Sequence, residues 1–142
     1  MAALACAASA VALEPGHGPE PETETRRHAT YVDGPLPGHT GGFGEPSCHR
    51  CHFDRPVGPP GGDLSVAGVP ESYRPGVTHR IEVRVKGEEL GRGGFQLSAR
   101  CGRGEREGEQ AGTLVADSGR VEVVEGTGEE YRGAANVQYA QH

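Results

Sequence analysis

The run Val77-Thr78-His79-Arg80-Ile81-Glu82-Val83-Arg84-Val85 sets Val77, His79, Ile81, Val83 and Val85 at every second position and polar residues between them. That period of two is the mark of a strand with one wet face, and it predicts a β-strand over 77–85. Weaker copies lie on either side, at Leu64-Ser65-Val66-Ala67, Phe95-Gln96-Leu97-Ser98-Ala99, Thr113-Leu114-Val115-Ala116, Arg120-Val121-Glu122-Val123 and Asn136-Val137-Gln138-Tyr139. Between them stand Pro70, Pro75-Gly76, Gly91, Gly93-Gly94, Gly102 to Gly108, Ser118-Gly119 and Gly126 to Gly128. About six short strands, broken by turn residues every 8–12 positions or so, predict an all-β sandwich. No segment carries a 3.6-residue period, and there is no internal repeat.

Composition agrees with this reading. Gly and Pro fill 35 of 142 positions, whereas Leu, Ile, Val and Phe fill only 24. A chain so poor in branched apolar residues has difficulty burying enough surface to offset its conformational entropy, so a uniform compact domain is not expected. The first twelve residues, Met1 to Ala12, are uncharged and rich in Ala. Ala8-Ser9-Ala10 and Ala10-Val11-Ala12 offer the small-x-small pattern of a secretory cleavage site, although the positive n-region is missing, and they predict export. Ala3-Leu4-Ala5 before Cys6 is a poor lipoprotein box. Residues 13–62 read as an irregular Pro/Gly-rich leader, and residues 63–142 as the folded part. The net charge of −6, with Lys and Arg scattered among Asp and Glu, provides no basic footprint for nucleic acid. No run of 18 apolar residues exists to span a membrane.

The leader ends on Ser47-Cys48-His49-Arg50-Cys51-His52. A CxxCH string is the attachment signature of c-type haem: the thiols of Cys48 and Cys51 would add to the two vinyl groups, and His52 would bind the iron as proximal ligand. Three other readings compete. Cys48 and Cys51 would close a small disulfide in an exported protein. With two His residues they would make a Cys2His2 zinc set, although no second ligand pair with finger spacing follows. A reactive redox pair would want a βαβ setting that is absent. If Cys6 is removed and Cys48 and Cys51 carry haem, Cys101 has no partner left and reads as a buried small residue at a strand end. Of the seven His residues, His49 lies inside the attachment loop, His17 and His28 in the leader, and His79 on the predicted strand. His39 and His142 are left as candidates for the second iron ligand.

Several motifs in order resemble one family. They are Pro37-Gly38-His39-Thr40-Gly41-Gly42-Phe43-Gly44-Glu45 leading into the CxxCH, then Val69-Pro70-Glu71-Ser72-Tyr73-Arg74-Pro75-Gly76, Gly94-Phe95-Gln96-Leu97-Ser98-Ala99 and Ala111-Gly112-Thr113-Leu114. Together, over about Asp33 to His142, they resemble the bacterial choice-of-anchor V proteins, whose domain is similar to the reeler domain. The resemblance implies an exported immunoglobulin-like (reeler-type) β-sandwich with a CxxCH ahead of the first strand. Members often carry a Tyr-x-x-His element like Tyr139-Ala140-Gln141-His142, which makes His142 the preferred distal ligand and His39 the runner-up. Members usually continue through a Trp-containing strand and a final strand, so the resemblance implies a sandwich incomplete at its C-terminus and open to strand pairing with a second chain. Gly93 also replaces the bulky aromatic that often precedes Gly94.

Two functions follow as expectations. The first is an exported protein of the cell envelope that binds haem c through Cys48, Cys51 and His52, with Phe43, Phe53 and Tyr139 shielding the haem edge; it would transfer electrons, or sense redox state or small ligands. The second is a non-enzymatic surface or adhesion module in which the CxxC is a structural disulfide. Catalysis has little support, because the chain contains no nucleophile elbow, zincin motif or phosphate loop.

Overall fold

In the computed structural model, which describes residues 34–54, 56–58, 61–87, 91, 93–129 and 132–142, the regular elements are five strands and one turn of 3-10 helix. The fold is all-β. The apolar N-terminus and the leader up to residue 33 lie outside the described residues. No helix among the described residues is long and apolar enough to cross a membrane.

Strands β1 (Gly62–Ala67) and β2 (Glu82–Gly87) pair antiparallel, with Leu64 opposite Val85 and Val66 opposite Val83. The predicted alternation is present from Ile81 onward: Ile81, Val83 and Val85 are half-buried, and Glu82, Arg84 and Lys86 are exposed. It does not reach back to Val77. The ladder ends at Ala67 opposite Glu82, after which the chain turns through Gly68, whose backbone lies so close that a Cβ there would sit 2.0 Å from the Arg80 oxygen. Pro70 follows and has no N–H to extend the pairing. Residues 77–80, His79 among them, are therefore left exposed and outside the strand.

The second sheet has the order β3-β5-β4, all antiparallel, built from Gln96–Leu97, Gln138–Gln141 and Glu122–Glu125. Both β4 and β5 begin two residues later than the sequence predicts. Residues 113–116 form no strand, for a visible reason. The Leu114 amide donates to the side-chain oxygen of Gln138 at 2.9 Å, and the Gln138 amide donates to that of Gln110 at 2.8 Å. Side-chain amides thus satisfy backbone groups that a further strand would otherwise pair.

Strand β5 is the centre of this sheet and of the core. Tyr139 is wholly buried, as are Val137 and Cys101, and the other buried side chains are polar: His39, Arg100 and Gln141. Burial of that kind is tolerated only when the groups are hydrogen-bonded. The irregular segment 34–47 supplies many of the partners. Gly38 packs so closely on Gly133 that a Cβ at Gly38 would sit 2.4 Å from the Gly133 backbone. Cys101 is buried at the end of a β-bridge between Arg100 and Gln110, where the sequence placed it. It is not the partnerless thiol anticipated, since it is held in a disulfide.

Candidate functional site

The approach to the CxxCH is a small closed loop. Thr40 bridges Ser47, the Gly41 amide donates to the Pro46 oxygen at 3.0 Å, and the Glu45 amide donates to the Gly42 oxygen at 3.0 Å. The two central residues of the inner turn, Phe43 and Gly44, both have positive φ, at 54° and 78°. That is the mirror-image turn that suits a tight hairpin, normally filled by Asn or Gly. A phenylalanine there costs about 1–2 kcal/mol. Its ring faces the Arg100 guanidinium, 5.1 Å from the centroid, a contact that offsets part of the cost.

Glu45 fastens this loop to the sheet. Its Oε1 accepts from Arg100 Nη2 at 2.5 Å and from the Tyr139 hydroxyl, while its Oε2 accepts from Thr40 Oγ1 at 2.6 Å. The Tyr139 oxygen accepts in turn from Arg100 Nη2 at 2.8 Å and from the Ala134 amide at 2.9 Å. The Arg100 and Glu45 side chains keep only 3% and 10% of their exposure, so this is a buried ion pair closed by a phenol. Burial, and then the hydrogen bond to the Glu45 carboxylate, push the Tyr139 phenol up to about 12. Arg100 Nε, also enclosed, has no hydrogen-bond partner. Beside the cluster opens a cleft of about 900 Å³ lined by Phe43, Arg100, Glu107, Gln110 and Asn136. Asn136 is the other described non-glycine residue with positive φ.

The loop delivers the chain into a helical turn, Cys48–Arg50. The Arg50 amide donates to the Ser47 oxygen, and the amides of Cys51 and His52 both donate to the Cys48 oxygen, at 3.2 and 3.0 Å. Cys48, Cys51 and His52 are thereby gathered into one turn, with both thiols free and all three residues exposed. The Cys48 sulfur lies 3.8 Å from the His39 oxygen. Although the residue as a whole is exposed, partial desolvation of its sulfur against the loop pushes the thiol up, and a charge on Cys51 would add to this. A redox CxxC needs a lowered thiol, so the direction disfavours that reading. Iodoacetamide at mildly alkaline pH is accordingly expected to label Cys48 more slowly than Cys51 in peptide mass maps; the reverse order would contradict the partial desolvation of the Cys48 sulfur.

The two remaining histidines are held differently. His39 is buried: its amide donates to Gln96 Oε1 at 2.7 Å, and its Nδ1 lies 3.1 Å from the Leu36 oxygen. A carbonyl can only accept, so Nδ1 donates here, and in the neutral imidazole the lone pair then stands on Nε2, the arrangement common to metal-binding histidines. Gln96 continues the row, donating to Leu36 and to Gln141, which donates to Glu122 at 2.8 Å. Three facing residues of β3, β5 and β4 therefore secure the His39 segment. His142 follows β5, is exposed, and is fixed by its amide to the Phe95 oxygen, not to the CxxCH turn.

The structure thus brings the His39 backbone oxygen to Cys48 and ties the His142 amide to Phe95. Phe53 and Phe43 are exposed, whereas Tyr139 is sealed in the core. Among the described residues, no three His, Cys, Asp or Glu side chains converge as a metal site. The Glu45–Arg100–Tyr139 cluster was not anticipated. No family model matches the chain, and no curated protein or solved structure does either.

Proposed function

We infer that the chain is an exported protein of the cell envelope that carries a covalent c-type haem on Cys48 and Cys51, with His52 as proximal ligand, and serves electron transfer or redox or ligand sensing. One observation carries the reading: the CxxCH is folded as a single exposed turn with both thiols free, on a loop anchored by a buried ion pair. The residues present fit the group. Two thiols three residues apart on one helical turn, followed at once by an imidazole, are the donors that haem c requires. When bound, the haem would supply a one-electron iron couple. The protein's own part is positional: Glu45, Arg100 and Tyr139 hold the loop to the sheet, and the Cys48 carbonyl fixes the start of His52.

For the opposite axial position, the resemblance favours His142, and the Nδ1 hydrogen bond to Leu36 favours His39. For the two antiparallel sheets we propose the immunoglobulin-like, reeler-type sandwich that the resemblance implies. A second reading, a surface interaction module with a Cys48–Cys51 disulfide, is favoured by the exposure of β1 along its whole length.

The test is the visible spectrum of the reduced protein after expression with its N-terminus in a host that attaches c-type haem. The expected result is a sharp α-band that is lost in C48S and C51S. A colourless folded protein would overturn the haem reading in favour of the module. If the band is present, H39A and H142A identify the second ligand: the variant that turns high-spin has lost it.

A further inference from the structure

We propose that the edge of β1 facing away from β2, which no strand among the described residues pairs, is a self-association surface, on which a second copy of this chain adds its own β1 antiparallel about Ser65 to make a four-stranded sheet across a two-fold axis. A two-stranded hairpin is marginal in water unless a third strand or another layer covers it. Among the described residues, β1 is paired with β2 alone, in a two-stranded sheet. Every residue of β1 is exposed, with Leu64 at 64% and Val66 at 36%.

The sequence of β1 is self-complementary about its centre. In an antiparallel pair related by a two-fold through Ser65, Leu64 of each copy faces Val66 of the other, Asp63 faces Ala67, and Ser65 faces Ser65. Because β1 already sets Leu64 against Val85 and Val66 against Val83, one face would carry two unbroken rows of Val85, Leu64, Val66 and Val83. Such cross-strand apolar pairs are the unit that stabilises a sheet. On the other face the outer pairs Asp63 with Lys86 and Ala67 with Glu82 bring no like charges together. Along its length β1 has a single charge, Asp63, and neither Lys nor Pro, the residues that blunt an edge. β2 carries Glu82, Arg84 and Lys86, and pairing it about Arg84 would set two arginines face to face.

Sedimentation of the full chain over a range of concentrations tests the assignment. The wild type is expected to form a concentration-dependent dimer. L64K or V66E alone is expected to weaken it about tenfold, because each spoils two symmetry-related pairs. The double variant L64K/V66E sets the introduced ammonium of each copy opposite the introduced carboxylate of the other, and is expected to recover the dimer. Far-UV circular dichroism confirms that each variant keeps its strands. A wild type that stays monomeric throughout, as when a segment of the same chain covers the edge, overturns the proposal. So do single variants that dimerise like wild type, or a double variant no better than the singles.

Discussion

Replacing Arg100 by Met lowers the unfolding free energy by about 3–5 kcal/mol, the loss typical when one partner of a buried ion pair is removed. The size follows from what is left behind. Glu45 keeps the hydrogen bonds from Thr40 and Tyr139 but no counter-charge, and its side chain is only 10% exposed. Phe43, held at positive φ, also loses the guanidinium on its ring. A domain of this size has a net stability of roughly 5–15 kcal/mol, so the variant lies near the edge of folding. Denaturant unfolding followed by far-UV circular dichroism measures the change, the chain having no tryptophan. The double variant R100M/E45M removes both charges together and should recover part of the loss, since a buried pair replaced by apolar residues of similar volume is often near neutral. A single-variant cost below about 1 kcal/mol, the level of exposed pairs, would mean that the cluster does not anchor the loop. In the haem-bearing form the same variant should also loosen the turn that holds Cys48, Cys51 and His52.

How much of this was legible depended on whether the signal was local. The alternation of Ile81, Val83 and Val85 needs only neighbours to be read, and β2 lies where it pointed. Its supposed extension through Val77 and His79 was undone by a partner, because β1 ends where Gly68 crosses the Arg80 oxygen. The same kind of distant cause removed the predicted strand at 113–116, where Gln138 takes the amide that a ladder would need. The CxxCH announced its own spacing, and its folding into one turn is a local consequence of it. The Glu45–Arg100–Tyr139 cluster is otherwise. Glu45 lies 55 residues from Arg100 and 94 from Tyr139, and each alone reads as an ordinary loop charge, strand-end charge or strand aromatic. In a chain with so few large apolar residues, the core was completed with polar ones, and no hydrophobic period marks those.

Raising the pH from about 10 to about 12 is expected to remove about 3 kcal/mol of stability through Tyr139 alone, because each tenfold difference in proton affinity between the folded and unfolded chains is worth about 1.4 kcal/mol. The phenol is wholly buried, lies against the Glu45 carboxylate, and is pushed up from 10.0 to about 12 in the folded chain. Below pH 10 both folded and unfolded chains keep the proton, and the contribution is present in full. Between about 10 and about 12 the unfolded chain releases it while the folded chain retains it, so the folded state binds more protons and stability falls as the pH rises. Above this window both are ionised and nothing more is lost. Unfolding midpoints measured across it would show the slope, and tyrosinate absorbance of the native protein would show one tyrosine ionising late. Y139F separates the cause from general alkaline damage. It gives up the hydrogen bonds of the hydroxyl with Arg100, Glu45 and Ala134, costing about 1–3 kcal/mol at neutral pH, but it has no phenol to titrate. Its stability should therefore change less across the same window than that of the wild type. An identical slope in both proteins would place the alkaline loss elsewhere and show that Tyr139 does not keep its proton for the sake of the Glu45–Arg100 pair.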